Sequence, residues 1–168
     1  MTPVEEALSY LAIDEGGVKD VGDGKGVTYW GQTQGWLDQY GLKIPETPEQ
    51  AMSNWSVWLA KTKLDQIFAT IYDAFPHTVV DYAVHSGSAI AIRCMQSALH
   101  VNADGVIGPN TLSVLSKYDL VGRKRLAHEV VAAGLEYEGM LVTKYPEKNA
   151  KYASGWNNRK ARMVRRLA

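Results

Sequence analysis

The sequence has a single cysteine, Cys94, so no disulfide can close within the chain, and this usage fits a reducing compartment. The same scarcity removes cysteine-cluster zinc sites. Four histidines (His77, His85, His100 and His128) never approach the HExxH spacing that sets two imidazoles on one helix face. No metal and no cofactor are therefore expected. Long apolar runs are also missing, the longest being a few residues against the roughly 20 that a membrane-spanning helix needs. The opening MTPVEEALSYLAIDEGG carries acids where a secretory leader needs positive charge and an apolar stretch, which predicts a chain kept in the cytoplasm until something releases it. No internal repeat, linker or low-complexity stretch stands out.

What remains is ordinary globular mass. At 168 residues, 46% hydrophobic and 21% charged, the chain is the size of one domain with a real core. Its eighteen basic and eighteen acidic residues cancel, but unevenly. Residues 1–50 hold nine acids against Lys19, Lys25 and Lys43, while residues 151–168 hold Lys151, Arg159, Lys160, Arg162, Arg165 and Arg166 with no acid. This gradient points to working carboxylates near the front. For the tail it points either to a solvated helix face or to an anionic outer-membrane or wall surface.

The pattern along the chain is mostly helical. Thr2-Pro3-Val4-Glu5 reads as a capping box opening a helix to about Asp14 or Glu15, stopped by Gly16-Gly17. Residues 16–36 contain seven of the fifteen glycines, interleaved with Val27, Thr28, Tyr29 and Trp30, which predicts an irregular ribbon of two or three strands. Thr47-Pro48-Glu49-Gln50 opens a second capped helix through Trp55 and Trp58, and a further one is expected to end at Phe75 before Pro76. Residues 79–98 read as a helix pair or one helix broken at Gly87. Asp104-Gly105 marks a turn, and Pro109 starts a short helix to Leu115. Asp119 caps a long helix with the stripe Leu126, Val130, Ala133, Tyr137 and Leu141, widened by Ala127, Val131 and Leu135. It is expected to be central and apolar on most sides. Gly155-Trp156-Asn157 should punctuate before a final basic helix.

Glu15 is the residue with the most suggestive setting. It closes a helix immediately before two glycines, so the backbone turns away and leaves its carboxyl at the mouth of whatever groove the ribbon forms. Cleaving a glycosidic bond needs a carboxylic acid that gives its proton to the leaving oxygen, and a carboxylate or positioned water on the other face of the sugar. Asp20 and Asp23 in the following loop and Thr28 on the ribbon are the residues to supply that second function. As single signals these are weak, since Glu before Gly-Gly is usually a helix end and Asp in a Gly-rich loop usually a turn former.

Taken together they carry more. Glu15-Gly16-Gly17, Asp20, Asp23, Gly26, Thr28-Tyr29 and Gly31 resemble the signature of glycoside hydrolase family 108, the muramidase family found in many phage endolysins. Lys25 stands where that family has the first glycine of a pair, and the loop after Glu15 is a residue short. Val80-Asp81-Tyr82-Ala83-Val84-His85-Ser86-Gly87, Ala91, Met95-Gln96, Asp104 to Leu112 and Gly155-Trp156-Asn157-Asn158-Arg159 resemble the peptidoglycan-binding segment that accompanies it, with His85 in place of an Asn.

The resemblance implies a mainly α, lysozyme-like α+β globule in one domain, with residues 1–85 as the catalytic segment and 86–168 as a peptidoglycan-binding segment packed against it. It implies cleavage of the β-1,4 bond between N-acetylmuramic acid and N-acetylglucosamine. Glu15 would be general acid, Asp23 would stabilise the developing positive charge or help activate water, and Thr28 would hold that water. Asp20, Tyr29 and Trp30 would line the sugar site, with Trp36 a further flat face or a core residue. The partner would be bacterial peptidoglycan, met by a monomer that leaves the host cytoplasm through a holin pore and acts in the periplasm or wall. A lytic transglycosylase using Glu15 as acid and then base, or a non-catalytic wall-binding module, are the alternatives. Cys94 reads as a small buried hydrophobe, His85-Ser86 assembles no triad, and Asp104-Gly105 is first of all a turn. Gly24-Lys25-Gly26 lacks phosphate-loop spacing, so no nucleotide or nucleic-acid partner is expected.

Overall fold

Thr2 caps the first helix, α1 (Pro3–Glu15), from both directions: its hydroxyl accepts the Glu5 amide at 3.2 Å, and the Glu5 carboxylate accepts the Thr2 amide at 2.7 Å. The computed structural model describes residues 2–20, 26–71 and 73–167. α1 buries Ala7, Leu8, Leu11 and Ala12 on one side and ends where Gly16 (φ +48°) sends its amide back to the Ala12 carbonyl at 3.1 Å. Gly17 (φ +62°) completes the exit into a three-stranded antiparallel sheet, β1 (Val18–Asp20), β2 (Val27–Tyr29) and β3 (Gln32–Thr33), in that spatial order. β2 pairs Tyr29 with Gln32, so Trp30 and Gly31 alone make the turn, with φ +48° and +78°. Two consecutive positive φ angles are the mark of the type I′ hairpin turn, whose twist suits the paired strands.

Thr33 leaves the sheet as the cap of α2 (Gln34–Tyr40), accepting the Trp36 amide at 3.2 Å. α3 (Pro48–Thr62) begins with Thr47 accepting the Gln50 amide at 3.3 Å, buries Ala51, Trp55, Trp58 and Leu59, and packs against α1. The chain divides into two compact units, Met1–Phe68 and Ala69–Ala168, and the division falls within α4 (Asp65–Thr70).

Among its described residues the second unit has helices and connecting turns and no strand. It holds α5 (Ala74–Ser86), α6 (Ser88–Ala98), α7 (Pro109–Leu115), α8 (Leu120–Lys144), the short α9 (Pro146–Asn149), a 3₁₀ turn (Ala150–Tyr152) and α10 (Ala153–Leu167). α8 packs against α5, α6 and α10 around Phe75, Val79, Met95, Val130 and Met163. The segment boundary expected between residues 85 and 86 falls inside this unit, at the α5–α6 break around Gly87 (φ +92°). Among the described residues no helix is long and apolar enough to cross a membrane. The architecture is the mainly α, lysozyme-like α+β one, with one small sheet among the described residues, near the N-terminus.

Three expectations need correction. Pro76 does not end a helix; it is the third residue of α5, where backbone N–H groups have no intrahelical acceptor and a missing one costs nothing. Asp73 caps that helix instead, accepting the Phe75 amide at 2.9 Å. Gly155, Trp156 and Asn157 do not punctuate, because they lie in the first turns of α10, where Trp156 packs on Tyr152 one turn earlier. Finally, α8 is not apolar on most sides. Leu126, Ala127, Val130, Val131, Gly134 and Glu138 form one buried face, while Leu135, Val121 and Met140 are exposed.

Candidate active site

Glu15 is the last residue of α1, and the Gly16-Gly17 exit folds the ribbon back towards it. The ladder continues past β1 with the Trp30 amide donating to the Gly17 carbonyl at 2.8 Å, so the exit from the helix and the β2–β3 turn are sewn together. This brings Gly31 against the Glu15 side chain. A methyl group on Gly31 would stand 2.8 Å from Glu15 Cγ and 2.9 Å from its Oε2, closer than side-chain carbons approach anything. Glu15 is half-buried and its Oε1 is screened from solvent. Lys19 Nζ donates to the Glu15 carbonyl at 3.2 Å, a cation at the negative end of α1.

The other side of the turn is anchored by a residue that sequence reasoning passed over. Gln32, buried, donates through Nε2 to the Ala51 carbonyl at 2.8 Å and accepts from Asn54 Nδ2 at 2.9 Å, and Asn54 also donates to the Lys43 carbonyl at 2.9 Å. A buried amide with both ends satisfied holds its backbone in one place. Its one visible signal was a polar residue between the turn glycine and the helix cap Thr33.

The remaining sequence-derived residues are distributed as follows. Thr28 is half-buried on β2 and its hydroxyl donates to the Lys19 carbonyl at 3.1 Å. Asp20 is exposed at the end of β1, opposite Val27, while Thr28 lies opposite Lys19. Neighbouring strand residues point to opposite faces, so Asp20 and Thr28 are on different sides of the sheet. Tyr29 and Trp30 are half-buried beside Gly31. Trp36 is committed to packing, with its ring 6.0 Å from buried Trp58 and 5.2 Å from Tyr40. Asp23 lies outside the described residues.

In the second unit the Asp104-Gly105 motif serves a turn. Buried Gln96 donates to Asp104 Oδ1 (2.8 Å), the Val106 carbonyl (3.0 Å) and Thr111 Oγ1 (3.3 Å), and accepts the Gly105 amide (2.8 Å). The Gln96 amide beside it holds the Asp104 carboxyl below the usual carboxylate range. Cys94 is a buried free thiol pushed up from its ordinary value by burial.

The basic tail is partly occupied inside the unit. Arg159 Nε donates to Asp81 Oδ1 at 2.7 Å, and Arg166 lies 3.5 Å from the other oxygen of Asp81. Lys160 is 2% exposed, donates to Glu138 Oε1 at 2.7 Å and sits 4.2 Å above the Tyr82 ring. Burial pulls its ammonium below the ordinary lysine range, with Glu138 opposing. Lys151, Arg162 and Arg165 are exposed.

Residues 90–161 match the family described as a predicted peptidoglycan domain, a stretch that begins in α6, includes Gln96 and its turn, and ends in α10. The chain is a peptidoglycan-related protein. The structure of Brucella abortus SagA is similar to it, with a TM-score of 0.76 and 26% identity over 98% of this chain and 92% of that one. No curated protein matches the chain.

Proposed function

We propose that this protein is a peptidoglycan glycoside hydrolase, cleaving the β-1,4 bond between N-acetylmuramic acid and N-acetylglucosamine with Glu15 as general acid. The observation that carries the reading is the seat of Glu15: a half-buried carboxyl at a helix end, lying on a glycine of a strained I′ turn that two separate hydrogen-bond systems hold in place. A proton donor has to be held still beside the oxygen it protonates, and rigid backbone does that better than a mobile loop.

In the reaction Glu15 gives its proton to the bridging oxygen as the bond from that oxygen to the anomeric carbon breaks. Water then adds to the anomeric carbon, and the proton it loses restores the acid form of Glu15. Thr28 has its own hydroxyl proton engaged on the Lys19 carbonyl, so towards solvent it offers only acceptor capacity, the right polarity to orient a water O–H. By the resemblance of its motif Asp23 is assigned the charge-stabilising role and Trp30 a flanking sugar contact; Asp20 and Tyr29 lie on the opposite side of the sheet from Thr28 and take no part beside it. The likeness to phage endolysins supplies the biological setting, lysis of a host from within after release from its cytoplasm.

Glu15→Gln tests the assignment. Turbidity loss of purified peptidoglycan should fall by roughly 10²–10⁴-fold, the contribution of a general acid, while sedimentation with the polymer persists. An equally active Glu15→Gln protein would end this reading. Mass spectrometry of the digest tests the attacking group: reducing muramic ends mean water, and anhydromuramic ends mean the sugar's own hydroxyl.

A further inference from the structure

We infer that the open pocket between residues 43–46 and α3, in the first unit, is a binding site for the short peptide that muramic acid carries; this rests on the peptidoglycan reading above and names the part of the polymer the pocket takes. Its volume is about 340 Å³, room for a stretch of peptide and not for a polymer strand. A ligand can reach it, since Lys43, Ile44, Glu46 and Gln50 of its lining are exposed, while Asn54 is half-buried and Pro45 buried. Two side chains one turn apart on α3 pin residues 43–46 at both ends. Asn54 Nδ2 donates to the Lys43 carbonyl at 2.9 Å, and Gln50 Oε1 accepts the Glu46 amide at 2.6 Å. Each pin leaves one group over. Asn54 gives its other N–H to Gln32 at 2.9 Å, so its Oδ1 remains as an acceptor, whereas Gln50 has used its oxygen and keeps an NH2 donor. Side chains so placed start about 5–6 Å apart, and a donor beside an acceptor is the complement of the C=O and N–H of a peptide backbone.

The rest of the lining selects the peptide over other ligands. A muramic-acid stem carries a carboxylate, an ammonium on its diamino residue and alanine methyls. Lys43 and Glu46 supply the opposite charges, and Ile44 with Pro45 an apolar wall. Among the described residues none that lines the pocket is aromatic, so it offers no face on which a sugar ring stacks. Glu46 beside the single cation counts against a phosphate. The position fits as well. Gln32, which holds Asn54, follows Gly31, the turn glycine on which Glu15 lies. The pocket wall is thus joined to the seat of the acid through two residues and one hydrogen bond. A stem of four residues, up to about 14 Å long when extended, covers a span of that order.

The test uses the full chain carrying Glu15→Gln, so that binding is measured without cleavage, and N-acetylmuramyl tetrapeptide as the probe. The Gln50 side-chain NH2 resonances, assigned by their loss in Gln50→Glu, should shift on titration with this probe and not with an N-acetylglucosamine tetramer. Resonances that ignore the peptide, or that follow both probes alike, would overturn the inference. Gln50→Glu added to the same chain is the matching variant. Its carboxylate still accepts the Glu46 amide, and an acid in the first turn of α3 suits the helix start, so the fold is kept while the donor is lost. The peptide should then bind about tenfold more weakly, and an unchanged affinity also overturns the inference. The two readings fail separately. Peptide binding by the Glu15→Gln chain does not depend on which residue is the acid, and the Glu15 assignment is read as loss of cleavage on glycan strands stripped of peptide, which leave the pocket empty.

Discussion

The carboxyl of Glu15 fills the space that a side chain at residue 31 would need: a Cβ built on Gly31 falls 2.8 Å from Glu15 Cγ and 2.9 Å from Oε2. The first and last residues of the N-terminal motif therefore form one contact. The glycine is there because the acid is there, and the positive φ of the turn is a second, separate demand at the same position.

Those two demands can be separated by mutation. Gly17, Gly26 and Gly31 have φ of +62°, +82° and +78°, but a Cβ on Gly17 or Gly26 meets nothing within 4 Å. Alanine at each should cost about 1–2 kcal/mol of stability through backbone conformation. Only Gly31→Ala also displaces the acid, and it should lose about a hundredfold in cleavage of peptidoglycan while its melting temperature falls with the other two. Equal loss of activity in all three would mean that strain and not the Glu15 contact matters.

How much of this was legible in the residues themselves depends on range. The capping box at Thr2, the cap at Thr47, the stop at Gly16-Gly17 and the break at Gly87 are local chemistry, and each appears where the residue pattern puts it. The acid, the ribbon and the glycine turn were likewise visible as a pattern, although the contact between Glu15 and Gly31 was not. Pro76 and Gly155 were misread because a breaker is tolerated in the first turn of a helix, and only tertiary packing shows where that turn begins. Gln32 with Asn54, and Lys160 with Glu138, were missed for one reason: a polar residue gives no sign in sequence of the partner that will bury with it. The tail cations looked equivalent, yet Lys160 is in the core and Arg162 is in water.

Two glycines of α8 should answer alanine with opposite signs. A Cβ on Gly134 would lie 2.8 Å from Tyr82 Cζ and 3.1 Å from Lys160 Cε, and the buried phenol ring has nowhere to move. Overpacking of this kind costs about 1–3 kcal/mol, so Gly134→Ala should lower the urea midpoint. Gly139 is exposed on the same helix with nothing within 4 Å, and there alanine should gain about 0.5–1 kcal/mol from helix propensity. A neutral or stabilising Gly134→Ala would show that α8 can shift away from α5, against the packing described.

Tyr82 ties the second unit to alkaline pH. Its phenol is fully buried and donates to the Gly134 carbonyl at 3.4 Å, and burial raises its ionisation far above the usual tyrosine range, opposed by a hydrogen bond with Ser86. A group whose folded pKa is raised contributes its full stability below the unfolded value, about 10 for tyrosine, and loses it as pH climbs from there towards the folded value. Cys94 adds the same sign from about 9 upward, whereas Lys160, pulled below the lysine range, has the opposite sign up to about 10.5. Comparing the parent with Tyr82→Phe isolates the phenol from both. At pH 7 the variant should be less stable by about 1 kcal/mol for the lost hydrogen bond. At pH 11 ionising Tyr82 lowers the free energy of the parent's unfolded state and the variant's has no such gain, so the gap in urea unfolding free energy should close or reverse. A gap that stays constant or widens between the two pH values would mean that residue 82 ionises as readily in the folded chain as in the unfolded one, which a sealed phenol under α8 does not allow.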